Sequence, residues 1–356
     1  MILKGPVKII GCGLIGTSIG LRLKEEGFEL LIEDRNQTNL RLASDLLEIS
    51  AVDSLPRIVL VATPPDQVFD CVIREFEENP EAIFIDVAGI KSKLLAKVED
   101  FPALSQNYVS VHPMAGRETS GPQSARSDLF ESRAWIVSKS RNSKMEAIEV
   151  AKGLGDLLGS TTYELDAKTH DSVIAAISHL PQVLSSALAG SLGSVNPEDL
   201  NLSGQGLRDV SRLAESDPEL WSRLLLGNSV EILPKIAEVI NRLNNLSRAI
   251  EIEDMDSVKN FFESGRIGRN RIPGKHGFAK RDYTFLPIVI DDKPGGLARI
   301  FNECADIDVN IEDLSMEHSP GQPVGLVTLA LSSDDAIKLQ KHLVSKGWLA
   351  HAPRKG

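Results

Sequence analysis

Cysteine is scarce in this chain of 356 residues. The three cysteines, Cys12, Cys71 and Cys304, lie far apart in the sequence. An odd and unclustered set fits neither a disulfide framework nor a cysteine metal site. We therefore expect a reducing compartment and predict no metal site.

Long uninterrupted apolar runs are also missing. No stretch approaches the roughly 20 apolar residues that a membrane-spanning helix requires. The first segment holds one short apolar run that leads into a glycine loop, without the long apolar region and cleavage site of an export signal. These absences predict a cytoplasmic protein that does not bind membranes.

Positive charge is in deficit, with 39 Lys and Arg residues against 50 Asp and Glu residues. A net negative charge disfavours general binding of nucleic acid or anionic lipid. Hydrophobic residues make up 42% of the chain, which is typical of a folded protein, and the length favours two or three domains. The expected partners are small molecules and other subunits.

Residues 1–165 alternate short apolar runs with helical patterns, as parallel βαβ units do. This alternation predicts an α/β fold with a Rossmann-type, doubly wound sheet. The predicted strands are residues 7–10, 30–33, 58–62, 83–86, 108–111 and 135–137.

Residues 166–265 hold long helical patterns with almost no strand signal, which predicts an all-helical domain. Pro181 falls inside one of these helices, where it should remove a backbone hydrogen bond and cause a kink. His170 and His179 would point in nearly opposite directions on a straight helix. Both can therefore line one site only if the helix bends.

The next segment, residues 266–282, is interpreted as a basic linker rather than a functional clamp. Residues 283–356 then follow the order strand, helix, strand, strand, helix, strand, which predicts a small ferredoxin-like α+β domain. The basic side chains of the linker are Arg266, Arg269, Arg271, Lys275, Lys280 and Arg281.

A glycine loop follows the first predicted strand and opens a helix, with the GxGxxG spacing of a dinucleotide-binding site. Gly11 permits the tight turn, Gly13 lets the backbone approach a pyrophosphate, and Gly16 lets helix and strand pack closely. The helix N-terminus, with Leu14 and Ile15, favours the phosphate charge. The sequence therefore predicts a dinucleotide cofactor.

Asp34 lies where a carboxylate can accept hydrogen bonds from the adenosine ribose and repel a 2′-phosphate. This position predicts NAD rather than NADP. Arg35 keeps the alternative open, because a guanidinium could receive the extra phosphate or stack on adenine. Thr63 and Pro64 follow a predicted strand at the carboxyl edge of the sheet, where we expect the cofactor cleft.

His112 directly follows the predicted strand 108–111, which places an imidazole at the same edge of the sheet. A lone histidine is more often a structural residue. Its position just past a strand of a nucleotide-binding fold favours a functional role. Because imidazole titrates near neutrality, His112 is a candidate general base.

With these motifs the chain resembles the prephenate and arogenate dehydrogenases, and the matching positions follow in the same order over residues 5–265. The matching positions are Gly11, Gly13, Gly16, His112, Pro113, Met114, Ala115, Gly116, Glu118, Gly121, Leu129, Phe130, His170, Asp171, Ser178, His179, Pro181, Gly204, Gly206, Arg208, Asp209, Arg212, Ser216, Asp217, Pro218 and Trp221. The resemblance implies a nucleotide-binding domain, a helical dimerisation domain and a homodimer. It also implies NAD-dependent oxidative decarboxylation of prephenate to 4-hydroxyphenylpyruvate in tyrosine biosynthesis.

The resemblance also assigns roles to individual residues. His112 would contact the 4-hydroxyl of the substrate, and Arg212 would bind a substrate carboxylate. Ser178 would be a second catalytic residue, and Glu118 and His179 would contact the substrate.

Two positions depart from common members of the family. Gly89, near cofactor and substrate, stands where many relatives carry serine, and Gln182 stands where many carry a second histidine. Gln182 can still hydrogen-bond to a substrate, but it cannot titrate near neutrality. Substrate preference and pH response are therefore open.

The loop before the first helix of the C-terminal segment resembles the ligand loop of an ACT domain. Glycines let the backbone approach a bound amino acid, and the helix N-terminus would attract its carboxylate. We expect an aromatic amino acid, tyrosine before phenylalanine, as the effector. The predicted effector contacts are Asp292, Pro294, Gly295, Gly296, Asn310 and Ile311.

Three other functions remain open. Arogenate dehydrogenase would use the same residues on a substrate with an amino group in its side chain. A β-hydroxyacid dehydrogenase would share the architecture but leave the His112 motif unexplained. A non-catalytic nucleotide sensor would have no need of His112 and Arg212.

Overall fold

The computed structural model describes residues 5–50, 54–116, 121–272, 283–291, 293–318 and 324–355. The chain divides into two compact units, residues 1–245 and residues 246–356. The first unit holds the nucleotide-type sheet and most of the helical region, and the second holds a smaller sheet.

The sheet of the first unit consists of β1 (Val7–Ile10), β2 (Leu30–Glu33), β3 (Ile58–Val61), β4 (Ile83–Asp86), β5 (Tyr108–Pro113), β6 (Ala134–Lys139) and β7 (Thr161–Glu164). These strands stand in the order β2-β1-β3-β4-β5-β6-β7. All neighbouring pairs are parallel except β5 and β6. The predicted Rossmann-type sheet is confirmed, and its carboxyl edge collects the ends of β1, β3, β4 and β5.

Helices cover the two faces of this sheet, and strand side chains alternate between two cores. Ile58 and Leu60 face one cluster, whereas Val59 and Val61 face the other. This alternation is the two-residue period of a strand, and apolar residues on both faces explain why β3 is fully buried. The helices are α1 (Leu14–Glu25), α2 (Gln37–Leu47), α3 (Val68–Glu78), α4 (Ser92–Glu99), α5 (Pro102–Gln106) and α6 (Met145–Leu157).

The last two strands differ from the sequence-based expectation. The strand β7 was not predicted, because its residues are largely polar and exposed and carry no apolar run. The strand β6 runs antiparallel to β5, although the alternating pattern predicted a parallel strand. Strand direction depends on the path of the connecting loop, which periodicity does not report.

The helical region begins with α7 (Ala167–Ile174), a turn of π-helix (Ala175–His179) and α8 (Leu180–Ser191), joined without a break. In a π turn each N–H donates to the carbonyl five residues back, as the Leu180 N–H does to Ala175. The irregularity that Pro181 predicts is therefore present, and it takes the form of a π turn just before the proline. The later helices are α9 (Gln205–Ser211), α10 (Pro218–Gly227), α11 (Ser229–Glu251) and α12 (Met255–Asn270).

The predicted boundary of the basic linker at residue 266 is wrong. Helix α12 continues to Asn270, with Asp254 as its N-cap. Arg266 pairs with Glu263 one turn earlier, which is an ordinary stabilising contact on a helix surface. The rest of the predicted linker, from residue 273 to residue 282, lies outside the described residues.

Within the described part of the chain, one continuous helix from Ala167 to Ser194 is long and apolar enough to span a membrane by length and composition. Only 28% of its apolar window is buried inside the chain. Several polar residues of this helix are buried, among them His170, Asp171 and His179. A helix whose apolar side chains are mostly not buried within its own chain is also typical of an interface between subunits.

The second unit contains β8 (Thr284–Asp291), α13 (Gly296–Asp306), β9 (Asp313–His318), β10 (Val324–Leu331), α14 (Ser333–Ser345), β11 (Leu349–Ala350) and β12 (Arg354–Lys355). The main strands stand in the antiparallel order β11-β8-β10-β9. The predicted ferredoxin-like succession of elements is observed. Ile288, Val327 and Leu339 are fully buried in its core.

Candidate active site

The glycine loop between β1 and α1 has the geometry of a phosphate cradle. Gly11 has a φ of +101°, and a Cβ at this position would lie 2.5 Å from the Ala62 carbonyl oxygen. A Cβ on Gly16 would collide with the Gly11 carbonyl oxygen. Around Gly13, by contrast, the described residues leave open space within 4 Å of the Cβ position. Two glycines therefore permit close packing, and the third leaves room for a ligand.

Helix α1 points its N-terminus into this open space. Its N-cap is Gly13, and no described side chain caps the helix. The first-turn N–H groups of Leu14, Ile15 and Gly16 are directed at the position of a phosphate, where the helix dipole favours negative charge. The residues of the loop fit a dinucleotide pyrophosphate.

The two acidic residues at the end of β2, Glu33 and Asp34, make different contacts. Asp34 accepts hydrogen bonds from the Cys12 N–H and the Asn36 N–H, both at 2.7 Å, so its carboxylate is fixed beside the glycine loop. Glu33 instead pairs with Lys8 at 3.0 Å and with Arg74. Of the two carboxylates, Asp34 is therefore the one that lies beside the glycine loop.

Three other predicted cofactor residues lie as follows. Arg35 is exposed next to Asp34, and Thr63 and Pro64 are half-buried just after β3. The Thr63 nitrogen lies 3.0 Å from the Cβ position of Gly11, which places this turn beside the glycine loop.

His112 lies near the end of β5 and begins a hydrogen-bonded series that continues through two residues of α7. Its Nδ1 lies 2.9 Å from His170 Nε2, and His170 Nδ1 lies 2.8 Å from Asp171 Oδ1. The other ring nitrogen, Nε2, lies 3.6 Å from the Cβ position of Gly89. This nitrogen therefore faces the small space where glycine carries no side chain, which is called the gap at Gly89. The Leu224 side chain borders the same gap, with its Cδ2 3.1 Å from the Cβ position.

Asp171 connects α7 to the loop after β4. Its Oδ1 accepts a hydrogen bond from the Lys91 N–H and its Oδ2 accepts one from the Ser92 N–H, each at 2.8 Å. These N–H groups lie at the start of α4, where a helix favours negative charge. Burial acts to raise the pKa of Asp171, but the hydrogen bonds from His170, Ser92 and Lys91 together hold it below its usual range. Asp171 is therefore a fixed anion under the histidines.

Lys91 is fully buried beneath His112. Its Nζ donates to the carbonyls of Ala88 and Val111 at 2.6 Å and to Asp86 Oδ1 at 3.3 Å. Asp86 also accepts a hydrogen bond from the Tyr108 hydroxyl. The ammonium thus ties the loop that holds Gly89 to the strand end that holds His112.

The pKa of His112 lies well below the usual value of 6.5. Burial is the main cause, since protein atoms surround the ring although part of its surface stays accessible. The Lys91 ammonium and the neighbouring His170 and His179 lower it further, and Asp171 opposes them. The imidazole is therefore neutral at pH 7 and can accept a proton.

His179 lies at the end of the π turn and is buried. Its Nδ1 lies 3.2 Å from Asn228 Nδ2, and its ring meets Trp221 edge-on at 5.9 Å. Burial lowers the pKa of His179 to about 4. Each α-helical residue turns the chain by about 100°, and the extra residue of a π turn shifts the following face by one such step. That shift lets His170 and His179 lie on neighbouring faces.

Other predicted residues of the helical region lie at different depths. Ser178 is half-buried in the π turn, and Arg212 is exposed at the start of a short 3₁₀ turn. Gln182 is buried, and its Nε2 donates to the Leu213 carbonyl at 2.8 Å. Gln182 therefore holds the turn that carries Arg212. Glu118, like Asp292 of the C-terminal unit, lies outside the described residues.

Sequence reasoning gave no role to Lys91, Asp171, Trp221 and Asn228. Lys91 was not singled out in the sequence, and Asp171 and Trp221 were only matching positions. The available signal was a lysine shortly after a buried strand, because a buried lysine needs several acceptors. Asn228, at the junction of α10 and α11, carried no signal in the sequence.

Comparison with known proteins identifies the family. Residues 19–163 match the family described as "Prephenate dehydrogenase, nucleotide-binding domain", and residues 166–264 match "Prephenate dehydrogenase, dimerization domain". The chain belongs to the prephenate dehydrogenase family. It is accordingly an oxidoreductase that uses NAD, as the glycine loop and Asp34 indicate.

Relatives in this family align with nearly the whole chain. A protein from Streptomyces niveus named "Probable prephenate dehydrogenase NovF" is 27% identical and covers 97% of this chain and 99% of its own length. The prephenate dehydrogenase of Bacillus subtilis is 25% identical, with 94% of each chain covered. A crystal structure of prephenate dehydrogenase from A. aeolicus, with hydroxyphenyl propionate and NAD+, has a TM-score of 0.68 at 24% identity. It covers 75% of this chain and 98% of its own, and it confirms the fold.

Proposed function

We propose that this enzyme oxidises and decarboxylates prephenate to 4-hydroxyphenylpyruvate with NAD+, in tyrosine biosynthesis. The observation that carries the proposal is the position of His112. Its Nε2 faces the gap at Gly89, its Nδ1 is occupied by His170, and burial beside Lys91 keeps the ring neutral. A neutral imidazole with one open nitrogen at the sheet edge is what an alcohol oxidation requires.

His112 accepts the proton of the 4-hydroxyl at Nε2 as that carbon becomes a carbonyl. Bound NAD+ supplies the acceptor for the hydride that leaves C4. The bond between the ring and its carboxylate then breaks, CO2 departs, and the bonding electrons complete the aromatic ring. The same imidazole returns its proton to the phenolate oxygen, so that no net proton is released.

The helical region supplies the contacts to the substrate carboxylates. Arg212 can hold a carboxylate through two parallel N–H bonds, and Gln182 supports its turn through the Leu213 carbonyl. Ser178 and His179, which share the π turn, form the side of the site nearest α7. Glu118 completes the substrate contacts by family resemblance.

Dinucleotide binding is assigned to residues 1–165, and substrate binding and dimerisation to residues 166–265. A homodimer in the cytoplasm accounts for the apolar side chains that the helical region exposes. These include Ile177, Leu202, Leu226, Val230, Leu233, Ile240 and Leu243. Such a surface is typical of an obligate interface, and light scattering at micromolar concentration should give the mass of a dimer.

The C-terminal unit is assigned as an ACT-like regulatory domain that binds tyrosine, at a loop containing Asp292 and Pro294. Gly295 has a φ of +82° and precedes the N-terminus of α13, which no described side chain caps. Asn310 and Ile311 lie before β9. Titration calorimetry of the whole enzyme should show tyrosine binding, and absence of binding for both tyrosine and phenylalanine at millimolar concentration would contradict this assignment.

Arogenate is the second candidate substrate, and the observation that favours it is Gln182. A buried amide in place of a titrating histidine changes the polar groups near the substrate side chain. The deciding experiment measures kcat/KM for prephenate and arogenate, each with NAD+ and NADP+. We expect prephenate with NAD+ to give the highest value. A higher value with arogenate would reassign the substrate, and equal use of NADP+ would make Arg35 a phosphate ligand.

A further inference from the structure

Three side chains form a hydrogen-bonded chain that leads away from the proposed base. His112 contacts His170 at 2.9 Å, and His170 contacts Asp171 at 2.8 Å. His170 has no exposed surface, and Asp171 is 4% exposed. The two residues lie behind His112, on the side away from the gap at Gly89. Direct contact with the substrate is therefore not their role.

The donor and acceptor of each hydrogen bond follow from Asp171, the last residue of this hydrogen-bonded series. Asp171 is a carboxylate that accepts from two backbone N–H groups, so it can only accept from His170 as well. His170 consequently carries its proton on Nδ1 and offers a lone pair on Nε2. His112 must then donate from Nδ1, which leaves the lone pair on its Nε2.

We propose that His170, oriented by Asp171, is a positioning residue that fixes His112 in the tautomer with a free Nε2. This inference rests on the proposed function, because it requires His112 to be the base. The opposite tautomer would carry a proton on the nitrogen that faces the gap, and that nitrogen could not accept another. A histidine base needs a partner that selects its tautomer, as the carboxylate of a catalytic triad does.

The hydrogen-bonded series His112–His170–Asp171 also affects how readily His112 takes up a proton, because charged groups surround the ring. The Lys91 ammonium lies beneath the ring and disfavours the imidazolium, while Asp86 and Tyr108 compensate Lys91 on its far side. His179 approaches from the π turn. Among the described residues packed against the histidines, Asp171 is the anion that favours the imidazolium. His170 therefore connects the charge of Asp171 to His112 as His112 takes up the proton.

Two substitutions at His170 separate this role from simple packing. In H170N the amide can replace Nδ1 and keep the contact to Asp171, but it cannot reach His112. In H170Q the longer amide can place its oxygen near the position of Nε2 and accept the His112 Nδ1–H. Ser185→Ala, a buried position on α8 with no hydrogen-bond partner among the described residues, is the control for burial in the same helix.

We expect H170N to lower kcat at least about tenfold with little change in the KM for prephenate, because loss of the correct tautomer costs up to about 10⁴-fold. H170Q should recover most of that loss, and S185A should behave as wild type. Thermal denaturation and NAD+ binding, followed by fluorescence, identify any variant that fails to fold. If H170N kept kcat within about twofold of wild type, or if H170Q matched H170N, the inference would be overturned.

The double variant of His112→Asn with H170N distinguishes the inference from the function on which it rests. If His170 acts through His112, the double variant should be no slower than His112→Asn alone. Additive losses would overturn the positioning role while leaving His112 as the base. A His112→Asn variant with wild-type kcat would overturn the proposed function, and this inference with it.

Discussion

At the residue scale, the reactivity of His112 depends on opposed charges at fixed positions. Lys91 lies beneath the ring and favours the neutral form, while Asp171 acts through His170 and favours the protonated form. Because the neutral form prevails at pH 7, the base is ready before the substrate arrives. The anion then limits the cost of taking up the proton.

Arg212 should act on binding rather than on chemistry. We expect Arg212→Ala to raise the KM for prephenate about tenfold to a hundredfold, because a hydrogen bond to a charged group contributes about 1.5–3 kcal/mol. kcat should change little, since the carboxylate contact is present in ground and transition states alike. Steady-state kinetics measures both constants, with Arg208→Ala on α9 as the control. A fall in kcat at unchanged KM would contradict the role.

Single residues could be predicted where their chemistry depends on position along the chain. His112 lies near the end of a strand and Asp34 directly after one, so the sequence could propose both residues from their positions. Asp171 and Lys91 could not be assigned roles from the sequence. Asp171 accepts from backbone N–H groups 79 and 80 positions away, and Lys91 donates to two backbone carbonyls and to Asp86. The substrate contact of Gln182 stays a prediction, and its hydrogen bond to the Leu213 carbonyl could not be predicted because it joins residues far apart in the sequence.

At the scale of elements, the π turn is the feature that assembles the site. It brings His170 of α7 and His179 onto neighbouring faces. Asn228 connects α7 and the π turn to the start of α11. The Asn228 amide donates to the Asp171 carbonyl at 2.9 Å and meets His179 Nδ1 at 3.2 Å. One buried amide therefore connects α7, the π turn and the junction of α10 with α11.

Asn228→Ala should lower the free energy of unfolding by about 1–3 kcal/mol, because it leaves a buried acceptor on His179 without its partner. Urea denaturation measures this change. Asn244→Ala, on the exposed face of α11, is the matched control and should stay within about 0.5 kcal/mol of wild type. Equal stability of the two variants would show that the bridge contributes nothing.

Elements were predictable where side-chain periodicity matches burial. The strands β1 to β5 are largely apolar, and all except the half-buried β2 are mostly buried. Each was predicted within two residues of its observed ends. The polar strand β7 was missed, and helix α12 was ended too early because its last turns carry arginines and glycines. The π turn itself could not be predicted, since Pro181 indicates an irregularity without fixing its form.

At the scale of the whole molecule, three buried neutral histidines make stability depend on pH. The pKa values of His112, His170 and His179 are all lowered by burial. In the unfolded chain they bind protons below about pH 6.5. The unfolded state therefore takes up more protons than the folded state between that pH and the lowered values, and stability is lost as the pH falls.

The melting temperature should accordingly fall between pH 7.5 and pH 5. His179 alone, with a pKa of about 4, should cost about 2 kcal/mol at pH 5. Calorimetry at constant ionic strength measures the change, and His179→Asn should reduce its slope. A melting temperature that stays constant over this range would contradict the buried, neutral state of these histidines.

The central claim is that His112 takes the hydroxyl proton of prephenate, and the most direct test is the pH profile of kcat for wild type and His112→Asn. NADH absorbance follows the reaction with prephenate and NAD+. The wild type should lose activity along a single acid limb with its midpoint below pH 6.5, because the pKa of His112 is lowered. His112→Asn should lose about a hundredfold to ten-thousandfold in kcat and should lack that limb. Near wild-type kcat with the same acid limb would place the base elsewhere, with His179 as the next candidate.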